Sequence, residues 1–205
     1  MAAGIDGFII GIGLILAIGA QNVYVLNQGL KRHYAFVAAG VSALCDSVLI
    51  ALGAGGLGTL LAANETVQSV ARYGGAAFVI GYGFYSLYQA TRSKDDSFAM
   101  AEAEAGQTGG RGFVAAVMTT LAFALLNPHV YIDTVLLLGG IGAQYPAGER
   151  VPFVIGASVA SIIWFFSLAY GARLIAPLFR KPAAARTFDI IVAGIMFFVA
   201  ATLLL

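Results

Sequence analysis

The stretch LLNPHVYIDTVLLLGG, residues 125–140, decides how the chain is read. It is apolar at both ends, yet Asn127, Pro128, His129 and Asp133 fall within seven positions. Proline removes a backbone donor and weakens a continuous helix. A carboxylate inside a bilayer costs at least about 2.5 kcal/mol at a helix centre. A membrane segment that keeps both needs a reason for the break and a partner for the charge.

The rest of the chain confirms that the solvent is lipid. Of the 205 residues, 60% are hydrophobic and only 10% charged, whereas a soluble domain is about a quarter charged. The 26 glycines fit close-packed membrane helices. A net charge of +1 gives no field that would attract nucleic acid. Cys45 is the single cysteine, which excludes an internal disulfide and a thiol relay. MAAGIDGFII has no Lys or Arg before its apolar run, so it reads as a first span and not as a cleaved signal.

A span needs roughly 20 apolar residues. Six are expected, at 4–27, 35–63, 68–91, 112–140, 151–177 and 186–205, and the fold class is an all-α membrane protein. The polar, Gly-containing stretch at 91–111 reads as a loop between two halves. The organisation is therefore 1–92, a cytoplasmic loop at 93–111, and 112–205. Nine of the 11 basic residues fall between spans 1 and 2, between spans 3 and 4, or around the connection of spans 5 and 6. The positive-inside rule then puts those loops in the cytoplasm and both termini outside.

The halves echo one another. AQNVYV from Ala20 is similar to NPHVYI from Asn127, GVSALC from Gly40 to GASVAS from Gly156, and GGAAFV from Gly74 to AGIMFF from Ala193. Each match is weak; their shared order is the signal. An odd-numbered repeat enters the membrane the other way up, so the pattern is two inverted three-helix repeats, a plan of secondary transporters. The competing account is chance similarity among Gly- and Val-rich spans.

Such transporters bind near the midplane, where interrupted helices meet. Here the interruptions are at Gly19 and at Pro128. Segment 112–140 would be about 44 Å long as one helix, so a break or strong tilt is expected. Past a break, the free N–H groups of the next half-helix suit a carboxylate. Asn22 and Asn127 stand at those points, as caps or as ligands.

Asp46 lies about 17 Å into span 2 at helical rise, and Asp133 lies one to two turns past Pro128. Every Lys and Arg falls in a loop or near a span end, so neither Asp has an obvious fixed cation. His129 is one candidate partner, a turn before Asp133. Otherwise the partner is a proton, a metal ion or a cationic substrate, the alternative being two neutral, hydrogen-bonded acids. An acid that accepts a proton in place of a cation is the minimum apparatus for antiport. Tyr24, Tyr131 and Trp164 can line such a site or simply pack, Trp164 offering a cation–π face. No tight His/Cys/Asp/Glu set suggests a metal site.

The stretches GAQNVYVLNQGLKR (19–32), CDSVLIALGAGG (45–56), LNPHVYIDTVLLLGGIGAQY (126–145) and GASVASIIWFF (156–166) resemble the LysE/ArgO family of basic amino-acid exporters. With span lengths, the likeness covers nearly the whole chain. The resemblance implies proton-driven export of L-arginine or L-lysine by a multi-pass inner-membrane protein, with no cofactor and no enzymatic step. Carried over by position, Asp46 follows the acidic position of the second span. Asn127, Pro128, Tyr131 and Asp133 follow the Asn-Pro-x-x-Tyr-x-Asp pattern, and Gln21 and Asn22 follow the first break. The family commonly has Pro where this chain has Ala20, so the first break rests on Gly19.

A basic amino acid is a cation and a zwitterion, and this set suits it: carboxylates for the side chain, half-helix N-termini for the α-carboxylate. The rival readings are a neutral amino-acid exporter of the homoserine/threonine type, a metal-ion exporter, and a non-transporting scaffold. Gly-rich faces permit a homodimer without requiring one.

Overall fold

A computed structural model describes residues 2–16, 19–30, 34–57, 65–91, 110–127, 130–175 and 182–204. Among the described residues the chain is helical throughout, without strands. The helices are α1 (Ala2–Ile15), α2 (Ala20–Leu30), α3 (Ala35–Leu52), α4 (Glu65–Thr91), α5 (Gly110–Leu125), α6 (Gly139–Gln144), α7 (Ala147–Ile175) and α8 (Pro182–Leu204). Two wide-turned π-helical stretches, Gly53–Leu57 and Tyr131–Leu138, extend α3 and lead into α6.

Three described segments are long and apolar enough to cross a bilayer: Ala35–Gly56, Ala147–Leu174 and Arg186–Leu204. The pair α1 and α2, bent by 84° at its break, makes a fourth if counted as one span. The span expected at 112–140 is not one helix. Its apolar first part is short, Gly112–Leu125, and a new helical stretch begins at Tyr131. The span expected at 35–63 is described as far as Leu57 and is kinked near that point. Gly56 has φ +93°, a left-handed conformation that glycine alone adopts without cost, and residues 58–64 lie outside the described residues. So do Lys31, Arg32, Arg92, Lys94, Arg180 and Lys181, on which the orientation argument leans.

The surface is apolar and the interior small. Ile5, Leu44, Met118, Val151, Leu174 and Phe198 are all exposed, from five different helices. Water would not tolerate such an exterior, and lipid explains it. Inside stand Ala20, Ala38, Ala39, Ala157, Ala160 and Ala169, all fully buried. Between membrane helices the hydrophobic effect is absent, so attraction comes from close backbone approach, which small residues allow.

That logic fixes α1. Gly4, Gly7 and Gly11 face Pro152, Phe153, Ala157 and Ala160 of α7, and Gly29 of α2 faces Ala169 and Ala172 further along the same helix. Thus α1 runs along α7 in the same direction, and α2, after the bend, meets α7 again further on. The start of α1 is also tied down by the Tyr145 hydroxyl, which donates to Asp6 at 2.9 Å, and Arg150 donates to the Tyr145 carbonyl at 2.9 Å. α3 packs on α7 and α4 on α8. The end of α3 meets the second half at Gly53 and Gly139, where a Cβ on Gly139 would lie 2.5 Å from the Gly53 Cα.

α4 and α8 are also joined by charge. The Arg72 guanidinium donates from Nε to the Leu203 carbonyl at 2.6 Å and from Nη2 to the Leu204 carbonyl at 2.8 Å. These carbonyls end a helix and lack intrahelical donors. Arg72→Gln is expected to lower thermal stability by about 1 kcal/mol, measured as a small fall in melting temperature of the purified protein. An unchanged melting curve would show the contact to be dispensable.

Candidate functional site

The two breaks and α3 converge on a cavity of about 250 Å³. Its polar lining is Gln21, Asn22, Asp46, Asn127, Asp133, Thr134 and Thr202. The volume lies just below the ~300–1,000 Å³ of drug-sized pockets, a size suited to an amino acid. Phe165 of α7 supplies an apolar wall. Phe198, Val199 and Thr202 carry the lining to the last turns of α8. Within about one turn along the chain of Asn22 and Asn127, the rings of Tyr24 and Phe123 stack at 4.8 Å between centroids and pack with Phe78 and Tyr82.

The first break delivers Gln21 and Asn22. α1 stops at Ile15 and α2 starts at Ala20, with the Val23 N–H donating to the Gly19 carbonyl at 3.2 Å. The N–H groups of the opening turn of α2 have no intrahelical partner. No acidic residue stands in that turn, so the helix end keeps its positive character. Asn22 acts as a cap: its Nδ2 donates to the Ile15 carbonyl at 3.2 Å, seven residues back. Its Oδ1 accepts from the Trp164 indole N–H at 3.2 Å. Trp164 therefore turns its N–H to the break, a role different from the cation–π face its sequence offers. Gln21 is different again. It sits beside Asp46, yet its buried Nε2 makes no hydrogen bond of normal geometry. Such a group costs about 1–3 kcal/mol until something accepts from it.

The second break delivers Asn127, Asp133 and Thr134. The Val130 N–H donates back to the Asn127 carbonyl at 3.1 Å, closing a turn over the interruption. Asp133 lies in the first turn of the π-helical stretch that follows. Pro128 and His129, read as the breaking residue and a site candidate, lie outside the described residues. Tyr131, also read as a site residue, does not line the cavity. Its hydroxyl donates to the Leu125 carbonyl at 2.6 Å and so caps α5, as Asn22 caps α1. Tyr24 is buried in the ring cluster, away from the cavity lining.

Asp46 is the centre of the arrangement. It is 3% exposed, and its Oδ2 accepts from the Ser161 hydroxyl at 2.9 Å. Asp133 is close enough for the two carboxylates to feel one another's charge. No Lys or Arg lines the cavity among the described residues, and no group of three His, Cys, Asp or Glu there could hold a metal ion. The site thus places two acids in one buried pocket whose described lining holds no Lys or Arg. Ser161, Thr134 and Phe165 do not stand out in the sequence. Ser161 falls within the GASVAS match, but nothing there says which way it faces.

Residues 12–205 match the family described as LysE type translocator. The chain belongs to the LysE family. Relatives of LysE type include the arginine exporter protein ArgO of Yersinia enterocolitica, 36% identical over 200 residues that cover 98% of this chain and 95% of the relative. The putative amino-acid transporter YggA of Aeromonas salmonicida is 38% identical, covering 95% and 92% of the two chains. ArgO of Salmonella paratyphi A is 38% identical, covering 95% and 90%. No solved structure matches. Family membership and the apolar exterior make this LysE-family chain a multi-pass membrane protein of a translocator class.

Proposed function

We propose that the protein exports basic L-amino acids, arginine foremost, from the cytoplasm across the inner membrane by proton-coupled antiport. The observation that carries this is the pairing of Asp46 with Asp133 in one cavity that has no Lys or Arg in its described lining. A guanidinium or ammonium relieves two carboxylates that otherwise repel one another in a low dielectric. The names of the ArgO relatives agree with that substrate.

The two breaks then have unequal tasks. The opening turn of α2 carries no acid and offers backbone N–H groups plus Gln21 Nε2, so it takes the α-carboxylate. The second break places Asp133 where an anion would sit, so it serves the cationic end.

Six spans in two inverted repeats fit the pairing of elements. α3 meets α7 and α4 meets α8, the matching spans of the two halves. α1 and α2 lie on α7, while α5 and the π-helical stretch after it lie on α3. Contacts alternate as well: Tyr34 meets Gly112 at one end of the bundle, and Arg72 meets Leu203 at the other. With the basic loops inside, the cavity reaches toward the outer end of α8, and the ring cluster closes its cytoplasmic side. Substrate loads from the cytoplasm when the rings part, one half rocks against the other, and release outside is followed by protonation of an Asp for the return.

Counterflow in proteoliposomes tests this reading. Preloaded arginine or lysine is expected to stimulate uptake of labelled arginine at least several-fold over empty vesicles, and threonine is not. Equal stimulation by threonine would move the protein to a neutral amino-acid exporter. No exchange in folded protein would overturn the proposal.

A further inference from the structure

Ser161 and Trp164 lie one turn apart on α7, and each reaches a different half of the cavity wall. Ser161 is fully buried and donates to Asp46 Oδ2 at 2.9 Å. Trp164 donates to Asn22 Oδ1 at 3.2 Å, and Asn22 in turn holds the Ile15 carbonyl. One helix therefore restrains both the carboxylate on α3 and the cap of the first break.

We propose that Ser161 is a positioning residue that sets affinity for the basic side chain by fixing the Asp46 carboxylate. The inference rests on the proposed function, because it takes Asp46 as the counter-charge of the substrate. A hydrogen bond to an ionised acceptor is short and strong, and in a dry cavity it is not replaced by water. With Oδ2 held on the α7 side, the carboxylate keeps one orientation, with the Gln21 side chain beside it. Without the hydroxyl, Asp46 turns freely or seeks Gln21, whose unpartnered Nε2 lies beside it. Either outcome withdraws the charge from the substrate and removes the amide that would receive the α-carboxylate. A binding group must be held by its neighbours to within about 0.5 Å of the productive geometry, and Ser161 is the described residue placed to do so. Its own position is secured by the packing of α7 against α3.

The test is counterflow of labelled arginine with wild type, Ser161→Ala and Ser161→Thr in proteoliposomes, with melting curves recorded with and without arginine. Alanine is smaller than serine and adds no clash, so the fold is expected to survive, with the substrate-free melting temperature falling modestly for the lost buried hydrogen bond. The half-saturating arginine concentration is expected to rise about ten-fold, with the maximal rate changed less than two-fold. The stabilising shift produced by arginine is expected to shrink in parallel. Ser161→Thr keeps the hydroxyl and is expected to restore the half-saturation value. An unchanged half-saturation in Ser161→Ala, or a loss of maximal rate alone, would overturn the positioning role while leaving the export reading intact. A wild type that exchanges no basic amino acid would overturn both.

Discussion

Asp46→Asn is expected to abolish arginine exchange while making the substrate-free protein more stable. The substitution keeps the shape of the side chain and an acceptor for the Ser161 hydroxyl, while it removes the charge and turns the second oxygen into an amide donor. A guanidinium entering the cavity would then lose its most buried counter-charge. Breaking a buried ion pair by removing one partner costs about 3–5 kcal/mol, so flux should fall by about two to four orders of magnitude. The stability effect has the opposite sign. Asp46 is 3% exposed, lies near Asp133, and accepts its hydrogen bond from a neutral hydroxyl. Removing that charge relieves desolvation and repulsion together. A residue kept for folding would show the reverse, a lower melting temperature with exchange preserved. Counterflow and a melting curve on the same preparation separate the two. Retained arginine exchange in Asp46→Asn would end the charge-matching argument. Asp133 is more accessible, so Asp133→Asn is expected to weaken exchange less.

Much of this site is legible in the amino-acid sequence alone, because polar residues in lipid-like spans are conspicuous. Asp46, Asp133 and Asn127 are costly where they stand, and a costly residue invites a reason. Gly19 and the Asn-Pro pair announce breaks because glycine and proline weaken a helix by known mechanisms. The cavity brings Gln21, Asn22, Asp46, Asn127 and Asp133 together, as the convergence of the breaks implies. What stays hidden depends on direction. Asn22 and Tyr131 both turn back to cap the helix that precedes them. A side chain with several possible partners carries no mark of which it will choose. Ser161 is hidden for a related reason: serine is cheap in a membrane helix, and its value comes from α3 facing α7 at Asp46. The kink after α3 is equally hard to read, because GAGGL is apolar enough to continue a span. Only the left-handed Gly56 shows that the helical path is broken there.

Gly7→Ala and Gly156→Ala are expected to remove folded, active protein, whereas Gly13→Ala leaves it intact or slightly more stable. All three place one methyl on an apolar helix, so hydrophobicity cannot distinguish them. Contact does. A Cβ on Gly7 would overlap the Phe153 carbonyl oxygen and lie 2.9 Å from its carbon. A Cβ on Gly156 would overlap the Gly4 carbonyl oxygen and lie 3.0 Å from the Phe8 nitrogen. These are backbone atoms, with no rotamer to yield, so α1 and α7 must separate. Overpacking costs about 1–3 kcal/mol and occasionally more, and a rigid obstacle on each side puts these two at the upper end or beyond. Close approach is also the main attraction between membrane helices, so separation forfeits the contacts that replace a hydrophobic drive. Gly13 has nothing within 4 Å of its Cβ position. There alanine only removes backbone freedom, worth up to about 1 kcal/mol in favour of the helix. The loss at Gly7 should reach the cavity too, since α1 leads into the break that presents Gln21 and Asn22. Partly folded Gly7→Ala protein is therefore expected to bind arginine poorly even where it survives purification. Yield, melting temperature and counterflow across the three variants check this. Equal behaviour of Gly7→Ala and Gly13→Ala would mean that α1 does not lie against α7 in the membrane.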